Sequence, residues 1–412
     1  MKGRKKSLIA VAAVAGLITA ALGTGIASAG KPKANPLKGE GVNMKIIANI
    51  PWKSGSDMEF ATIKGRDYAF AGSFASINDG GGLHVIDITD PEHVKEAAWL
   101  KCPVYQSDIQ ISADQKTVIM GVDSTGGPEA CLAANRIGFM TVDITNPLKP
   151  KPVGMADIPR GSHNITAHPK LPLIYNSDSD VGNVRGEVQI WSIKNPAKPE
   201  LVNTIMVPGH STHDISFNTE GTRAVTAGVD DIEMLDTTDP ENPTLASIMH
   251  CPGCSIIHDA KFTPDGKTVI VGDEGGGGSA YPCPGGALYF YDVVETPAAP
   301  VLALKGMYEP QEVALARDGQ SGPQACTSHV FDISDDGTKV AISWYSAGSR
   351  YLDVSKYTGV TVGANSTPDA VKELGWFMPD GGVTWSSKFY KGPYIYSNDE
   401  QRGFDVFRIT KP

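Results

Sequence analysis

The 412-residue sequence contains little charge, and most of that charge is acidic. Only 20% of its residues are charged, and the formal net charge at pH 7 is −10. Contacts to nucleic-acid phosphates need a basic surface, so we expect no nucleic-acid partner. No stretch after residue 29 approaches 18 apolar residues, which predicts no stable membrane insertion.

Signatures of several common catalytic sites are also missing. The chain has no Gly-x-Ser-x-Gly sequence, the turn that presents a nucleophilic serine in α/β-hydrolases. The glycines at 275–278 are not followed by Lys-Ser or Lys-Thr, so a phosphate-binding loop is excluded. Any catalytic chemistry must therefore come from another kind of site.

The first 29 residues have the pattern of a secretory signal peptide. Four basic residues lie within the first six positions, an apolar run follows, and Ala27-Ser28-Ala29 provides small residues for cleavage. We predict cleavage near Ala29, a secreted protein of net charge −14, a flexible segment at 30–41 and a single domain at 42–412. An uncleaved membrane anchor is the alternative interpretation of the same segment.

Glycine and proline are abundant, and hydrophobic residues are sufficient for a large core. The 45 glycines and 29 prolines, with 41% hydrophobic residues, favour many short strands and turns. The phrase Leu83–Pro91 alternates like a half-buried strand and ends in a turn signal. It recurs six times, and the equivalent positions are Asp87, Asp143, Ser192, Asp236, Asp292, Asp353 and Arg408. Their spacings of 44 to 61 residues are typical of propeller blades.

Each copy of this phrase belongs to a longer unit. A strand–turn–strand frame such as Asp259–Val271 precedes it, and one more short strand follows, which gives four antiparallel strands named a to d. The chain ends after the seventh c strand, whereas Met44–Pro51 precedes the first a strand. We therefore predict an all-β, seven-bladed β-propeller whose N-terminal strand pairs with the C-terminal blade, because this pairing removes an open sheet edge.

Two families resemble parts of this sequence. The phrase around Val85-Ile86-Asp87-Ile88 resembles the LVIVD repeat of secreted bacterial β-propellers, over nearly all of the mature chain. Thr212-His213-Asp214-Ile215 and Ile257-His258-Asp259-Ala260 resemble motifs of the selenium-binding protein/methanethiol oxidase family. Members of that family are propellers with a copper-dependent thiol oxidase activity, and their large insertions are absent here. The first resemblance implies a fold, and the second implies a metal-dependent oxidoreductase.

Histidines occupy one equivalent position in four consecutive blades. The residues directly before the a strands are, in blade order, Ser56, Ser107, His163, His213, His258, His329 and Gly382. Because a strands line the axis of a propeller, we expect the four imidazoles to converge on one transition-metal ion. The architecture resembles that of carotenoid-cleaving oxygenases, whose propellers hold iron with four histidines. The alternative is a repeat position at which histidines only pack and hydrogen-bond.

Other polar residues are expected near this proposed site. The residues predicted to support it or to face a substrate are Ser56, Ser107, His210, His250, Asp214 and Asp259. The two aspartates directly follow histidines and are expected to bind neighbouring backbone or to orient an imidazole. Acids after the b strands, Glu274 among them, are candidates for a general base or a calcium ligand, or are solvated turn residues. His84, His93 and His168 are predicted to lie on the surface.

Six cysteines in an exported protein predict disulfides. They all fall in d–a or b–c connections, which share one face of the ring, and they are Cys102, Cys131, Cys251, Cys254, Cys283 and Cys326. Cys102 and Cys131 belong to one blade and are expected to pair. By analogy between repeats, Cys283 pairs with Cys251 or Cys254, and the remaining cysteine joins Cys326. The spacing from Cys251 to Cys254 also occurs in redox and zinc sites.

These patterns favour an exported, monomeric, metal-dependent oxidoreductase that acts on a small molecule or peptide. Four neutral nitrogen ligands favour copper, then iron, with zinc third. A zinc ion with an activated water would instead make the protein a hydrolase. In either case we expect the substrate to approach from the face that carries the long d–a and b–c loops. The alternative is a non-catalytic binding or scaffold propeller that uses this loop face to recognise a protein or a ligand.

Overall fold

The computed structural model describes residues 36–124, 126–177, 186–207, 212–275, 286–310, 326–357 and 371–411. Within these ranges the chain forms short strands and two 3-10 turns, at Ile77–Asp79 and Pro91–His93, and no α-helix. The strands are β1 (Gly39–Val42), β2 (Met44–Ile50), β3 (Gly55–Ile63), β4 (Arg66–Ser73), β5 (Gly82–Asp87), β6 (Lys95–Leu100), β7 (Gln106–Ile111), β8 (Thr117–Val122), β9 (Gly138–Asp143), β10 (Lys151–Asp157), β11 (Asn164–Ala167), β12 (Leu173–Ser177), β13 (Glu187–Ser192), β14 (Glu200–Met206), β15 (Asp214–Phe217), β16 (Arg223–Gly228), β17 (Asp231–Asp236), β18 (Thr244–His250), β19 (Ile257–Phe262), β20 (Thr268–Asp273), β21 (Leu288–Val294), β22 (Val301–Tyr308), β23 (Phe331–Ile333), β24 (Lys339–Ser343), β25 (Ser349–Asp353), β26 (Lys372–Pro379), β27 (Thr384–Phe389), β28 (Tyr394–Asp399) and β29 (Gly403–Ile409).

These strands form seven antiparallel sheets arranged as the blades of a β-propeller. The first five blades are β3–β6, β7–β10, β11–β14, β15–β18 and β19–β22, each in sequence order. The sixth is built on β23–β26 and the seventh on β27–β29. First strands of neighbouring blades contact one another, as β3 does with β7 and β27, so these strands line the axis. The predicted fold and blade order are confirmed.

The N-terminal part of the chain completes the last two blades. Strand β2 pairs antiparallel with β29, from Met44 opposite Ile409 to Ile50 opposite Phe404. This confirms the predicted ring closure. Strand β1 pairs with β26 as a fifth, exposed strand of the sixth blade. Gly39–Val42 thus forms a strand that covers the open edge of β26 and overlaps the segment 30–41, which is predicted to be flexible.

The repeated phrase is explained by a turn at the end of each c strand. The carboxylate of Asp87 accepts a hydrogen bond from the Thr89 amide, and Asp143, Asp236 and Asp353 bind the amide two residues ahead in the same way. Such local side-chain bonds stabilise a turn directly after a strand. The repeat therefore encodes a strand together with the turn that ends it.

The hydrophobic core lies in wedges between successive blades. One wedge combines Phe70 and Val85 of the first blade with Ile109 and Met140 of the second, and all four are fully buried. Strand β5 is buried on both faces, whereas the outer strand β14 is mostly exposed. Burial is therefore highest in the middle strands of a blade, whereas a strands such as β7 and β15 keep partly exposed polar side chains at the centre of the ring.

Candidate metal centre

The four predicted histidines lie side by side at one end of the central channel. His163 and His213 directly precede β11 and β15, His258 is the second residue of β19, and His329 lies two residues before β23. The ring centroids of His163 and His213 are 4.6 Å apart, those of His213 and His258 are 4.2 Å apart, and those of His258 and His329 are 4.1 Å apart. The shared repeat position thus produces an arc of four adjacent imidazoles.

Three of these imidazoles are oriented through their Nδ1 atoms. The Nδ1 atom of His213 lies 2.9 Å from the backbone oxygen of His258, and that of His329 lies 2.6 Å from the backbone oxygen of Trp385. The Nδ1 atom of His163 lies 3.2 Å from Asp123 Oδ2. Because these oxygens can only accept, each Nδ1 carries a proton, and the Nε2 of a neutral ring then carries the lone pair. An Nε2 lone pair is the form in which histidine binds a metal ion.

The Nε2 lone pairs are crowded together. His163 Nε2 lies 3.0 Å from His213 Nε2, a distance at which two lone pairs repel unless a proton or a metal ion lies between them. The Nδ1 atom of buried His258 has no hydrogen-bond partner in the described ranges. Burial and the neighbouring imidazoles hold the pKa of His213 and His258 well below the ordinary value, and burial lowers the pKa of His329 to about 3. The rings of His213, His258 and His329 are therefore neutral near pH 7, as metal ligands must be.

Glu274 completes a group that the histidine pattern alone does not predict. Its Oε2 atom lies 3.9 Å from His258 Nε2, and its Oε1 atom lies 3.7 Å from His329 Nε2. One ligand atom from each of these three buried residues lies within 4.8 Å of the other two, so the group could hold a metal ion. The sequence signal for Glu274 is its place directly after the b strand β20, where acids are candidates for a general base or a calcium ligand.

The environment of Glu274 fixes its position. Tyr345 donates a hydrogen bond to Glu274 Oε1, and the side chain is 7% exposed. Burial, opposed by this hydrogen bond, raises the pKa of Glu274 to about 8. A nearby positive charge would favour the carboxylate form. The rings of Tyr345 and Trp385 pack on His329 at centroid distances of 4.8 and 4.5 Å and cover one side of the group.

The other residues predicted for the site have different positions. The hydroxyl of Ser56 donates to the backbone oxygen of Ser107, whose own hydroxyl is buried without a partner. Asp214 accepts from the Ile215 amide, as predicted, whereas Asp259 binds Lys261 and orients no imidazole. His250 lies at the end of β18, and its 72% exposed side chain contacts Asp231, so this residue is not brought to the histidine arc. His210 lies outside the described residues.

A cavity of about 340 Å³ reaches the histidine arc from the opposite side of the ring. Its lining includes His163, His258 and His329 at one end, and Pro169 and Pro264 of the a–b turns at the other. The expected approach of a substrate is from the face with the long loops. The described residues form a cavity along the axis, next to the imidazoles.

The disulfide predictions are partly confirmed. Cys102 and Cys131 are bonded, with Cα atoms 5.4 Å apart. The predicted pairing of Cys283 with Cys251 or Cys254 is wrong, because Cys251 and Cys254 are bonded to each other. Gly253 adopts a φ of +101° and closes a tight turn that brings the two Cα atoms to 5.5 Å, within disulfide range. Cys326 is also disulfide-bonded, and Cys283 lies outside the described residues.

Two histidines that are predicted to be on the surface are buried. His84 is 2% exposed, stacks on Trp52 at a centroid distance of 3.9 Å and has both nitrogens hydrogen-bonded, to Glu96 and to the Gly80 carbonyl. His168 is 3% exposed and binds backbone groups of its own and the next blade. Their partners are distant in sequence, so the strand pattern does not reveal them. His93 is exposed, as predicted.

The disulfides indicate an oxidising, extracellular environment. Within the described ranges, no helix has the length and apolar character that crossing a membrane requires.

Comparison with known proteins identifies the fold and no family. No protein-family model and no curated protein matches the chain. Among solved structures, the β-propeller domain of Cps50 (Swd1) from Myceliophteria thermophila is 11% identical with a TM-score of 0.59, over 89% of this chain and 100% of that one. Hydrazine synthase from Kuenenia stuttgartiensis is 12% identical with a TM-score of 0.59, over 88% and 97%. A functionally unknown protein from Desulfotomaculum acetoxidans is 16% identical with a TM-score of 0.53, over 77% and 88%. At these identities the likeness shows a β-propeller fold alone.

Proposed function

We propose that this protein is an exported metalloprotein and acts as a metal-dependent oxidoreductase on a small molecule. The observation that carries the proposal is the buried group of His258, Glu274 and His329, which adjoins the paired Nε2 atoms of His163 and His213. Buried polar groups are normally hydrogen-bonded, and lone pairs that face one another without donors indicate a missing cation. Exported status rests on the signal-like residues 1–29 and on the disulfides.

The donor set favours a redox-active transition metal. Imidazole nitrogens suit copper, iron and zinc, and two histidines with one carboxylate are the set that holds non-haem iron in oxygenases. We therefore propose copper or iron, with zinc third. When bound, such an ion would supply one-electron chemistry or activate oxygen. The short-motif resemblance to the selenium-binding protein/methanethiol oxidase family supports the same class of function.

The residues around the ion would have separate tasks. His258 and His329 would hold it through Nε2, and His213 and His163 extend the ligand set on one side. Glu274 would either bind the ion or accept a proton, and the Tyr345 hydroxyl keeps its carboxylate in place. The rings of Tyr345 and Trp385 would keep water away from the His329 side. The cavity would admit the substrate to the remaining open position.

Elemental analysis of protein made in an oxidising compartment tests this function. The expected result is one copper or iron ion per chain with an absorption spectrum typical of that metal. The double variant His258→Ala/His329→Ala should lose the metal, whereas His250→Ala, which changes an exposed histidine outside the arc, should retain it. A metal-free protein whose melting temperature is unchanged by added copper, iron or zinc would favour the binding or scaffold propeller instead.

A further inference from the structure

Below the histidine arc, the central cavity is lined by an excess of carboxylates. Its acidic lining residues are Asp57, Glu59, Asp108, Asp214, Asp259 and Asp332. The basic residues of the lining are Lys261 and Lys388, so the fully ionised lining carries a net charge of −4. A low-dielectric cavity with this charge attracts cations.

The repeat explains how these acids come together. Asp57, Asp108, Asp214 and Asp259 each follow the position that holds serine or histidine at the start of an a strand. Because side chains alternate along a strand, the residues two further on face the same side, and Glu59 and Lys261 are among them. Successive a strands therefore present two tiers of polar side chains to the axis.

The two lysines form ion pairs with only three of the six acids. Lys388 Nζ lies 2.9 Å from Asp57 Oδ1 and 2.7 Å from Glu59 Oε1, and Lys261 Nζ lies 2.6 Å from Asp259 Oδ2. The remaining three acids, Asp108, Asp214 and Asp332, have only backbone amides as hydrogen-bond partners among the described residues. Partly buried carboxylates without an ion-pair partner are costly, so this arrangement lacks positive charge.

A second observation points to a ligand in the cavity. Asp259 is 1% exposed and lines the cavity, and its Oδ1 atom has no hydrogen-bond partner within the part of the chain that the structure describes. Burial, followed by the charges of Asp57 and Asp214, holds the pKa of Asp108 well above its ordinary value, and burial raises the pKa of Asp332 to about 6. A bound cation would relieve both effects by pairing with these carboxylates.

The geometry favours an organic cation over a second metal ion. Among the described residues, the group of three or more ligand atoms that lie within 4.8 Å of one another is His258, Glu274 and His329, so no three of the described cavity carboxylates are close enough to share one ion. An amine or guanidinium can donate hydrogen bonds to several separated carboxylates at once. The cavity volume of about 340 Å³ lies within the range of small-molecule sites.

We infer that this cavity binds a small organic cation, an amine or a guanidinium compound, with its charged group among Asp108, Asp214 and Asp332. The binding itself needs no metal. The same cavity is lined by His258 and His329, so the cation would also be the substrate. This last step rests on the proposed function. The cation would lie with its uncharged part towards the imidazoles.

Calorimetric titration of the metal-free, full-length mature protein tests this inference. The probes are guanidinium, 1,4-diaminobutane and agmatine, with 1,4-butanediol and succinate as neutral and anionic counterparts. At least one cation should bind, and both counterparts should bind at least about tenfold more weakly. Binding should weaken at least about tenfold in Asp108→Asn/Asp332→Asn. Asp114→Asn, which changes an exposed acid of an a–b turn, should bind like the original protein.

A second measurement separates recognition from damage to the fold. Asp108→Asn/Asp332→Asn should raise the melting temperature of the ligand-free protein, because it removes buried uncompensated charge. The inference is overturned if no cation binds, if the diol binds equally well, or if the double variant binds unchanged. His258→Ala/His329→Ala should lose the metal and still bind the cation. Cation binding by a protein that takes up no copper, iron or zinc would therefore refute the proposed function and leave this inference standing.

Discussion

The Nε2 atoms of His163 and His213 lie 3.0 Å apart, although the Nδ1 atom of each ring faces an oxygen acceptor. The side-chain amide of Asn164 lies 3.1 Å from the same Nδ1 of His213 and can turn its oxygen towards it. With both Nδ1 atoms protonated, two lone pairs meet. Either a shared proton or a metal ion must therefore link these rings.

Replacing His163 by glutamine distinguishes a shared proton from a shared metal ion. A glutamine amide can donate a hydrogen bond to His213 Nε2, so it replaces a proton but is a poor ligand for copper or iron. We expect His163→Gln to lower metal affinity at least about tenfold and to change the free energy of unfolding of the metal-free protein by less than about 1 kcal/mol. Metal titration and urea unfolding measure the two effects. Unchanged metal affinity would show that His163 is only a hydrogen-bonding partner.

Tyr345 and Tyr291 are both buried, and they differ in whether the hydroxyl group has a hydrogen-bond partner. The hydroxyl of Tyr345 donates to Glu274, whereas the hydroxyl of Tyr291 has no hydrogen-bond partner among the residues that the structure describes. Tyr345→Phe should therefore destabilise the protein by about 1–3 kcal/mol and weaken metal binding by about 10- to 100-fold. Tyr291→Phe should be neutral or slightly stabilising, because it removes an unsatisfied buried group. Equal effects of the two changes in denaturant unfolding would argue against a role for the Tyr345 hydroxyl in positioning Glu274.

The blades could be predicted from the sequence because each blade repeats the same pattern of strand and turn residues. Alternating strands and the Asx turn at Asp87 or Asp143 depend on nearby residues, and the register of the a strands follows from them. The adjacency of His213 and His258 could therefore be predicted from one shared repeat position. The repeated strand-and-turn phrase, in contrast, contains no information about the chemistry at the centre.

The remaining features depend on irregular segments or on distant partners. Glu274 reaches the histidines from a b–c connection, whose path the repeat does not determine. The bond between Cys251 and Cys254 depends on the left-handed backbone at Gly253, and burial of His84 depends on stacking with Trp52 from before the first blade. These interactions are specific to single blades, so comparison of repeats cannot reveal them.

Glu233 should make stability depend on pH. It is fully buried on β17, and burial raises its pKa to about 8 from an unfolded value near 4.5. The folded state therefore holds a proton that the unfolded state releases between these two values, so the free energy of unfolding should fall as pH rises from about 4.5 to about 8. The contribution of this group is on the order of a few kcal/mol.

Urea unfolding across this pH range checks the prediction. Glu233→Gln keeps the shape and the hydrogen bond with Thr226 and should flatten the pH dependence. Glu241→Gln, at an exposed position of the same blade, should leave it unchanged. An equally steep pH dependence in Glu233→Gln would assign the effect to other acids.

Two disulfides join cysteines that the structure describes. We expect them to contribute unequally to the free energy of unfolding. Cys102 and Cys131 are 29 residues apart, whereas Cys251 and Cys254 are 3 apart. Because a cross-link over a longer loop removes more entropy from the unfolded chain, we expect about 3.5 kcal/mol from the first and about 1.5 kcal/mol from the second. Denaturant unfolding of Cys102→Ser/Cys131→Ser and of Cys251→Ser/Cys254→Ser measures both. A larger loss in the second variant would contradict this loop-entropy argument.

The pairing of Met44 with Ile409 also determines when the molecule can finish folding. During synthesis β2 emerges long before β29. It therefore stays unpaired until almost the entire chain has been made. Individual blades can form as they are made, but the final seam depends on contacts of very high sequence separation, which form slowly. A chain interrupted before Gly403 would retain most blades and expose two unpaired sheet edges, a template for aggregation. The ring can therefore close only after the C-terminal strand β29 has been synthesised.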